Sequence, residues 1–158
     1  AVPQRKGEHG IIVEGLSNCL VKFSKCCSPV PGDDIVGFIT RGYGVSVHRA
    51  DCPNVLRSRD NPAEAGRWIR VSWADKTSEE YHTMLQVVAK DRISLIVDVS
   101  TVLSATKTRV LSLNARSTPD GFALLDLGIA VSGRDQLKTV TSRLEQIQGV
   151  MKVTRPAG

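Results

Sequence analysis

The sequence of 158 residues predicts an α+β chain in two parts, a small β-rich module that carries the cysteines and a following ferredoxin-like domain of order βαββαβ. Three observations predict it. Short apolar runs separated by Pro and Gly turns fill residues 11–74. From Tyr81 onward, strand-like runs alternate with stretches whose apolar residues recur at spacings of three and four. The cysteines Cys19, Cys26, Cys27 and Cys52 all stand in the first third of the chain.

In the first part the β runs are Ile11-Ile12-Val13, Leu20-Val21-Lys22-Phe23, Ile35-Val36-Gly37-Phe38-Ile39 and Val45-Ser46-Val47-His48. Ser28-Pro29-Val30-Pro31-Gly32-Asp33-Asp34 is a rigid turn, and Arg41-Gly42-Tyr43-Gly44 joins two runs at hairpin length. Pro53 fits the first position of a short helix running to Ser58. Residues 61–66 read as a loop, and Trp68 to Trp73 as one strand. The polar stretch from Ala74 to Glu80 is the expected seam, so the boundaries are a linker at 1–10, a cysteine module at 11–74, a linker at 75–80 and a second domain at 81–158.

In the second part Met84 to Ala89 is a strand, and Asp91 or Ser94 is placed to cap the helix that follows. Leu95, Ile96, Val99, Val102 and Leu103 form its apolar face. Strands follow at Arg109–Ser117 and Phe122–Val131, joined through Thr118-Pro119-Asp120-Gly121. Leu137, Val140, Leu144 and Ile147 make a second amphipathic helix over 134–148, stopped by Gly149, and Val150 to Thr154 is the last strand.

Composition narrows the function. With 41% hydrophobic and 23% charged residues the chain can bury a core. The most apolar stretch, Leu95 to Leu103, is broken by Asp98 and too short to cross a bilayer, so no membrane is expected. A net charge of +5, spread along the chain, leans weakly toward anionic partners. Aromatic content of 4% argues against a base-stacking platform. Clustered cysteine, rather than bridges distributed over the whole chain, points to a reducing, cytoplasmic setting.

The constellation with chemistry is Cys26-Cys27, then His48 and Cys52. Three thiolates and one imidazole suit a soft tetrahedral ion such as zinc. Adjacent cysteines count against it, because neighbours on a strand point to opposite faces, and Cys19 is a substitute ligand. Two other readings stand beside it: buried thiols as small apolar filler, and a nucleophilic thiol activated by His48.

The run VKFSKCCSPVPGDDIVGFITRGYGVSVHRADCPNV, Val21 to Val55, resembles the conserved-cysteine or zinc-finger domain of long RelA/SpoT family proteins, the (p)ppGpp synthetases and hydrolases of the bacterial stringent response. Residues 81–158 resemble the ACT domain that closes those proteins. The resemblance implies a regulatory piece rather than an enzyme, with Cys26, Cys27, His48 and Cys52 as the family's metal or thiol cluster. It implies contact with ribosomal RNA and uncharged tRNA, for which Lys25, Arg41 and Arg49 are the basic candidates, and restraint of the parent's own catalytic domains.

ACT domains often form homodimers edge to edge and bind amino acids near the first strand-to-helix loop. Here that loop is Asp91, Arg92, Ile93, Ser94 and Leu95, with Val110 and Leu111 as an apolar wall for a branched-chain amino acid, supplied by the same chain or a dimer mate. The ordinary reading of Val110 and Leu111 is packing against their own helices. Ser94 stands where amino-acid-binding members commonly carry glycine, a departure that counts against a ligand. The alternative function is a purely structural or dimerising module.

Overall fold

The computed structural model describes residues 10–14, 20–42, 44–74 and 80–156. Cys19, Tyr43, the linker expected at 1–10 apart from Gly10, and the linker expected at 75–80 apart from Glu80 lie outside the described residues. The chain divides into two compact units, the second spanning Glu80–Pro156.

In the first unit, β1 (Ile11–Val13) pairs antiparallel with β6 (Val71–Trp73). A second, four-stranded sheet has the order β2 (Leu20–Phe23), β4 (Gly44–Arg49), β3 (Ile35–Ile39), β5 (Trp68–Ile69). The β3–β4 hairpin forms as its turn residues predict, closed by the Thr40 N–H on the Gly44 carbonyl at 2.9 Å. The single strand expected over 68–73 is instead two. Trp68 and Ile69 pair with Phe38 and Gly37, and beyond Arg70 the chain joins the other sheet opposite β1. Apolar spacing could not show that change of partner. Helix α1 (Pro53–Arg59) starts on its proline, and a turn of 3₁₀ helix at Ala65–Arg67 occupies the expected loop.

Two apolar clusters result. The larger is Ile11, Val13, Val21, Val45, Val47 and Val71, flanked by Phe23, Ile35, Ile69 and Trp73. The smaller is Cys27, Cys52 and Val55, flanked by Cys26, Val36 and Trp68.

The second unit is β7 (Tyr81–Lys90), α2 (Leu95–Ala105), β8 (Arg109–Ser117), β9 (Phe122–Val131), α3 (Arg134–Glu145) and β10 (Val150–Thr154). Its sheet has the order β10-β7-β9-β8, antiparallel throughout, the ferredoxin-like plan. Buried Leu95, Val99 and Leu103 repeat every four residues along α2, and Leu137, Val140 and Leu144 do the same work on α3. Ile96, assigned to the apolar face by spacing, is 46% exposed.

Two local expectations are corrected. Neither Asp91 nor Ser94 caps α2 through its side chain. Ser94 takes the N-cap position with φ +69°, and the first turn carries Asp98, whose carboxylate accepts from Arg92 at 2.6 Å. Helix α3 ends at Glu145, and Gly149, at φ +91°, turns the chain into β10 instead of stopping the helix directly.

Candidate metal centre

Period-two geometry on β4 decides which side chains meet. Val45 and Val47 face the larger core, so Ser46 and His48 face the other side of the sheet. Strand β3 sets Val36 opposite His48 and Phe38 opposite Ser46, while β5 brings Trp68 opposite Phe38. The Trp68 ring meets the His48 imidazole edge-on at 5.9 Å. Strand β2 runs parallel to β4 and ends opposite Val47, which delivers the turn Lys25–Cys27 beside His48. Cys52 is the N-cap residue of α1, yet its thiol makes no capping bond because it is turned into the centre.

The four donor atoms lie within 4.8 Å of one another. The Cys26 Sγ is 3.5 Å from His48 Nδ1, 3.5 Å from Cys52 Sγ and 3.9 Å from Cys27 Sγ, and Cys27 Sγ is 3.9 Å from His48 Nδ1. Ligands at about 2.3 Å (thiolate) and 2.0 Å (imidazole) from a tetrahedral ion stand roughly 3.5–3.8 Å apart. These residues can therefore hold a metal ion. The objection from adjacency disappears because Cys26 and Cys27 lie in a turn, where strand alternation does not apply.

Electrostatics divide the donor set: Cys26 and His48 are biased toward their ligating forms, Cys27 toward the neutral thiol. Burial opposes ionisation of Cys26, but hydrogen bonds with Ser24, Asn54, Cys52 and Cys27 outweigh it and hold this thiol below its ordinary value. Burial pushes Cys27 up to about 12, against the Arg49 backbone N–H that donates to its sulfur at 3.3 Å. Burial also lowers His48, leaving a neutral ring with a lone pair for an ion near neutral pH. Sequence reading missed the supporting shell of Ser24, whose Oγ is 2.8 Å from Cys26 Sγ, together with Asn54 and Trp68. Ser24 and Asn54 each lie two residues from a cysteine, which was the available signal.

The basic candidates separate. Lys25, in the turn, and Arg41, in the β3–β4 loop, are exposed. Arg49 is only 14% exposed, and its guanidinium donates twice to Asp51, Nε to Oδ1 at 3.0 Å and Nη2 to Oδ2 at 2.8 Å.

The amino-acid loop is also placed. Asp91 is exposed and Leu95 is buried in the core. Ile93 is 93% exposed, and Arg92 bridges Asp98 and the Gln148 carbonyl. Ser94 adopts the left-handed conformation a glycine would favour, so the backbone shape survives the substitution. Val110 and Leu111 are 43% and 41% exposed, so packing against their own helices is overturned. They do not neighbour the loop in the same chain either. Lys90 pairs with Phe122 and Val110 with Ile129, at opposite ends of β9, a separation of about 23 Å along a strand.

The site and fold together define a two-part α+β chain, a cysteine-bearing β unit followed by a ferredoxin-like domain. The RelA/SpoT RIS domain family matches residues 11–74 and the ACT domain family residues 77–155. The chain belongs to the RelA/SpoT family, corresponding to its C-terminal regulatory region. GTP pyrophosphokinase of Escherichia coli (strain K12) is 36% identical over 159 residues, 99% of this chain and 21% of that protein. The bifunctional (p)ppGpp synthase/hydrolase RelA of Mycobacterium tuberculosis is 36% identical over 153 residues, 97% of this chain and 20% of that one. The chain thus spans about a fifth of the length of these relatives. Among solved structures, the ACT domain from GTP pyrophosphokinase of Chlorobium tepidum shares 25% identity with a TM-score of 0.44, covering 49% of this chain and 99% of that one. Among the described residues no helix is long and apolar enough to cross a membrane.

Proposed function

We propose that this chain regulates a (p)ppGpp synthetase/hydrolase in the cytoplasm, its first unit holding zinc and meeting ribosomal RNA and uncharged tRNA during amino-acid starvation. The observation that carries the reading is the convergence of Cys26, Cys27, His48 and Cys52 inside the segment matched by the RIS domain family. Bound zinc would supply a rigid crosslink between the β2 turn, β4 and the start of α1. Lys25, in the turn that carries Cys26 and Cys27, and Arg41, in the β3–β4 loop at the end of β4 away from His48, are both exposed, where each can contact phosphate. Arg49, committed to Asp51, is the weakest of the three candidates.

The ACT half acts as a dimerising and ligand-sensing module. Strand β8 is an edge strand with Val110 and Leu111 bare. Antiparallel pairing of two β8 edges carries the partner's start of β8 toward the sheet end that bears the Asp91–Leu95 loop. A homodimer therefore supplies the apolar wall that one chain lacks, and a branched-chain amino acid would sit there with its carboxylate at the α2 amides.

Cosedimentation with ribosomes, with and without uncharged tRNA, tests the first half. Binding should depend on tRNA and fall about tenfold in a Lys25→Glu, Arg41→Glu double variant. Equal pelleting of variant and parent chain would refute it. Calorimetry with valine, leucine and isoleucine tests the second, and no heat at millimolar ligand leaves a dimerising module without a ligand.

A further inference from the structure

Three thiolates and a neutral imidazole around a dication leave one net negative charge. That charge would sit beside Val55, Val36 and Trp68, in surroundings that solvate it poorly. A nearby cation is needed to balance it. Lys25 and Arg57 are exposed, and Arg67 is spent over the Phe38 ring and on the Ile39 carbonyl.

Arg49 differs from these. It pairs with Ile35 and leaves β4 on the face opposite His48, yet its backbone N–H donates to Cys27 Sγ, the Cys27 thiol is among the groups its guanidinium senses, and its side chain is 14% exposed. Asp51 engages Nε and Nη2, while Nη1 is buried with no hydrogen-bond partner. A buried guanidinium with an unused donor is costly unless something nearby needs its charge. The Cys27 thiol, Asp33 and Asp51 are the ionisable groups around it.

We propose that Arg49 is the counter-charge of the Cys26–Cys27–His48–Cys52 centre, a positioning residue that sets how tightly the three thiolates hold a soft divalent ion. The proposal rests on the reading of this cluster as a metal centre. Asp51 restrains the guanidinium, and Asp51 and Asp33, the carboxylates around it, partly offset its effect on the centre. Charge then predicts an order of affinity. Asp51→Asn binds at least as tightly as the parent, Arg49→Lys comes close to it, and Arg49→Met falls behind by about tenfold or more.

The test is competition for zinc between a chromogenic chelator and the 158-residue chain, together with the thiolate-to-metal absorption of the cobalt(II) form. Tryptophan fluorescence melts in excess zinc check that each variant folds. If the parent chain takes neither metal, the metal reading and this proposal fall together. If the parent binds but Arg49→Met binds within twofold, the centre stands and the proposal is overturned. Equal losses in Arg49→Lys and Arg49→Met would show that the forked shape matters and the charge does not, which also overturns it. Should Arg49→Met fail to fold, Asp51→Asn decides: its carboxylate is 69% exposed, and weaker binding by more than threefold refutes the counter-charge.

Discussion

Substitution of Gly37 by alanine tests how closely the first unit is packed. Gly37 has no positive φ, so the glycine is there for space. It lies between β4 and β5, paired with Val47 and Ile69. A Cβ there would stand 2.8 Å from Val71 Cγ1, 2.9 Å from Val45 Cγ1 and 3.1 Å from Ile69 Cγ1. Val71 and Val45 are 5% and 2% exposed, and β-branched side chains have few rotamers to escape into. Overpacking of this kind costs about 1–3 kcal/mol, while the stiffer unfolded chain returns roughly 0.4–1 kcal/mol. A net loss of about 1–2 kcal/mol should lower the melting temperature of a unit this size by roughly 5–15 °C. Both tryptophans, Trp68 and Trp73, belong to the first unit, so their fluorescence reports that unit alone within the intact chain. Val71→Ala added to Gly37→Ala removes the nearest methyls, and the pair should be less harmful than the sum of the singles by at least about 0.5 kcal/mol. An unchanged fluorescence melt, or strict additivity of the pair, would refute the packing argument.

Four further outcomes are expected. In the metal-free chain Cys27 keeps its proton to about pH 12 when folded but loses it near the ordinary 9.0 when unfolded. Its contribution is complete below pH 9 and drains away as pH rises toward 12, by up to about 1.4 kcal/mol per pH unit; urea melts of the zinc-loaded chain should lack this slope. Cys52→Ala removes a fully buried donor and should destabilise the first unit by at least about 2 kcal/mol, leaving the transition of the second unit in place by calorimetry. Lys107 sits at φ +55° just past α2, where the Thr108 N–H reaches the Leu103 carbonyl and the Lys107 N–H the Ser104 carbonyl, a Schellman arrangement suited to glycine. Lys107→Gly should therefore raise the stability of the second unit by about 0.5–1 kcal/mol in thermal circular dichroism. Leu111→Lys should abolish self-association in sedimentation, and a variant that still dimerises would remove β8 from the interface.

Much of the fold was legible because local signals and tertiary structure agree. Turn residues marked the β3–β4 hairpin, Pro53 marked the start of α1, and apolar spacings of three and four marked α2 and α3. The centre was legible as composition but not as geometry. The spacing of His48 and Cys52 named them as donors, whereas the parallel β2–β4 pairing that brings the Cys26 turn to them is a long-range contact with no local sign. The change of sheet at Arg70 has the same character, as does the supporting role of Trp68, which depends on which strand β5 joins.

The failure on β8 is of another kind. Alternating apolar residues imply a buried face, and Val110 and Leu111 were therefore expected against the helices. The strand does pair with β9, but the register slips between Val110 and Ser112, so Leu111 falls at an irregularity, and nearly the whole strand is solvent-facing. Edge strands are usually protected by charge or by short length. This one runs nine residues, and its charged side chains, Arg109 and Arg116, lie toward its ends. Burial the single chain does not provide can come from a second copy, because an isologous contact sets equal edges against each other and needs no further partner chemistry. The apolar pattern that misled the reading of one chain is thus the pattern that a paired edge requires.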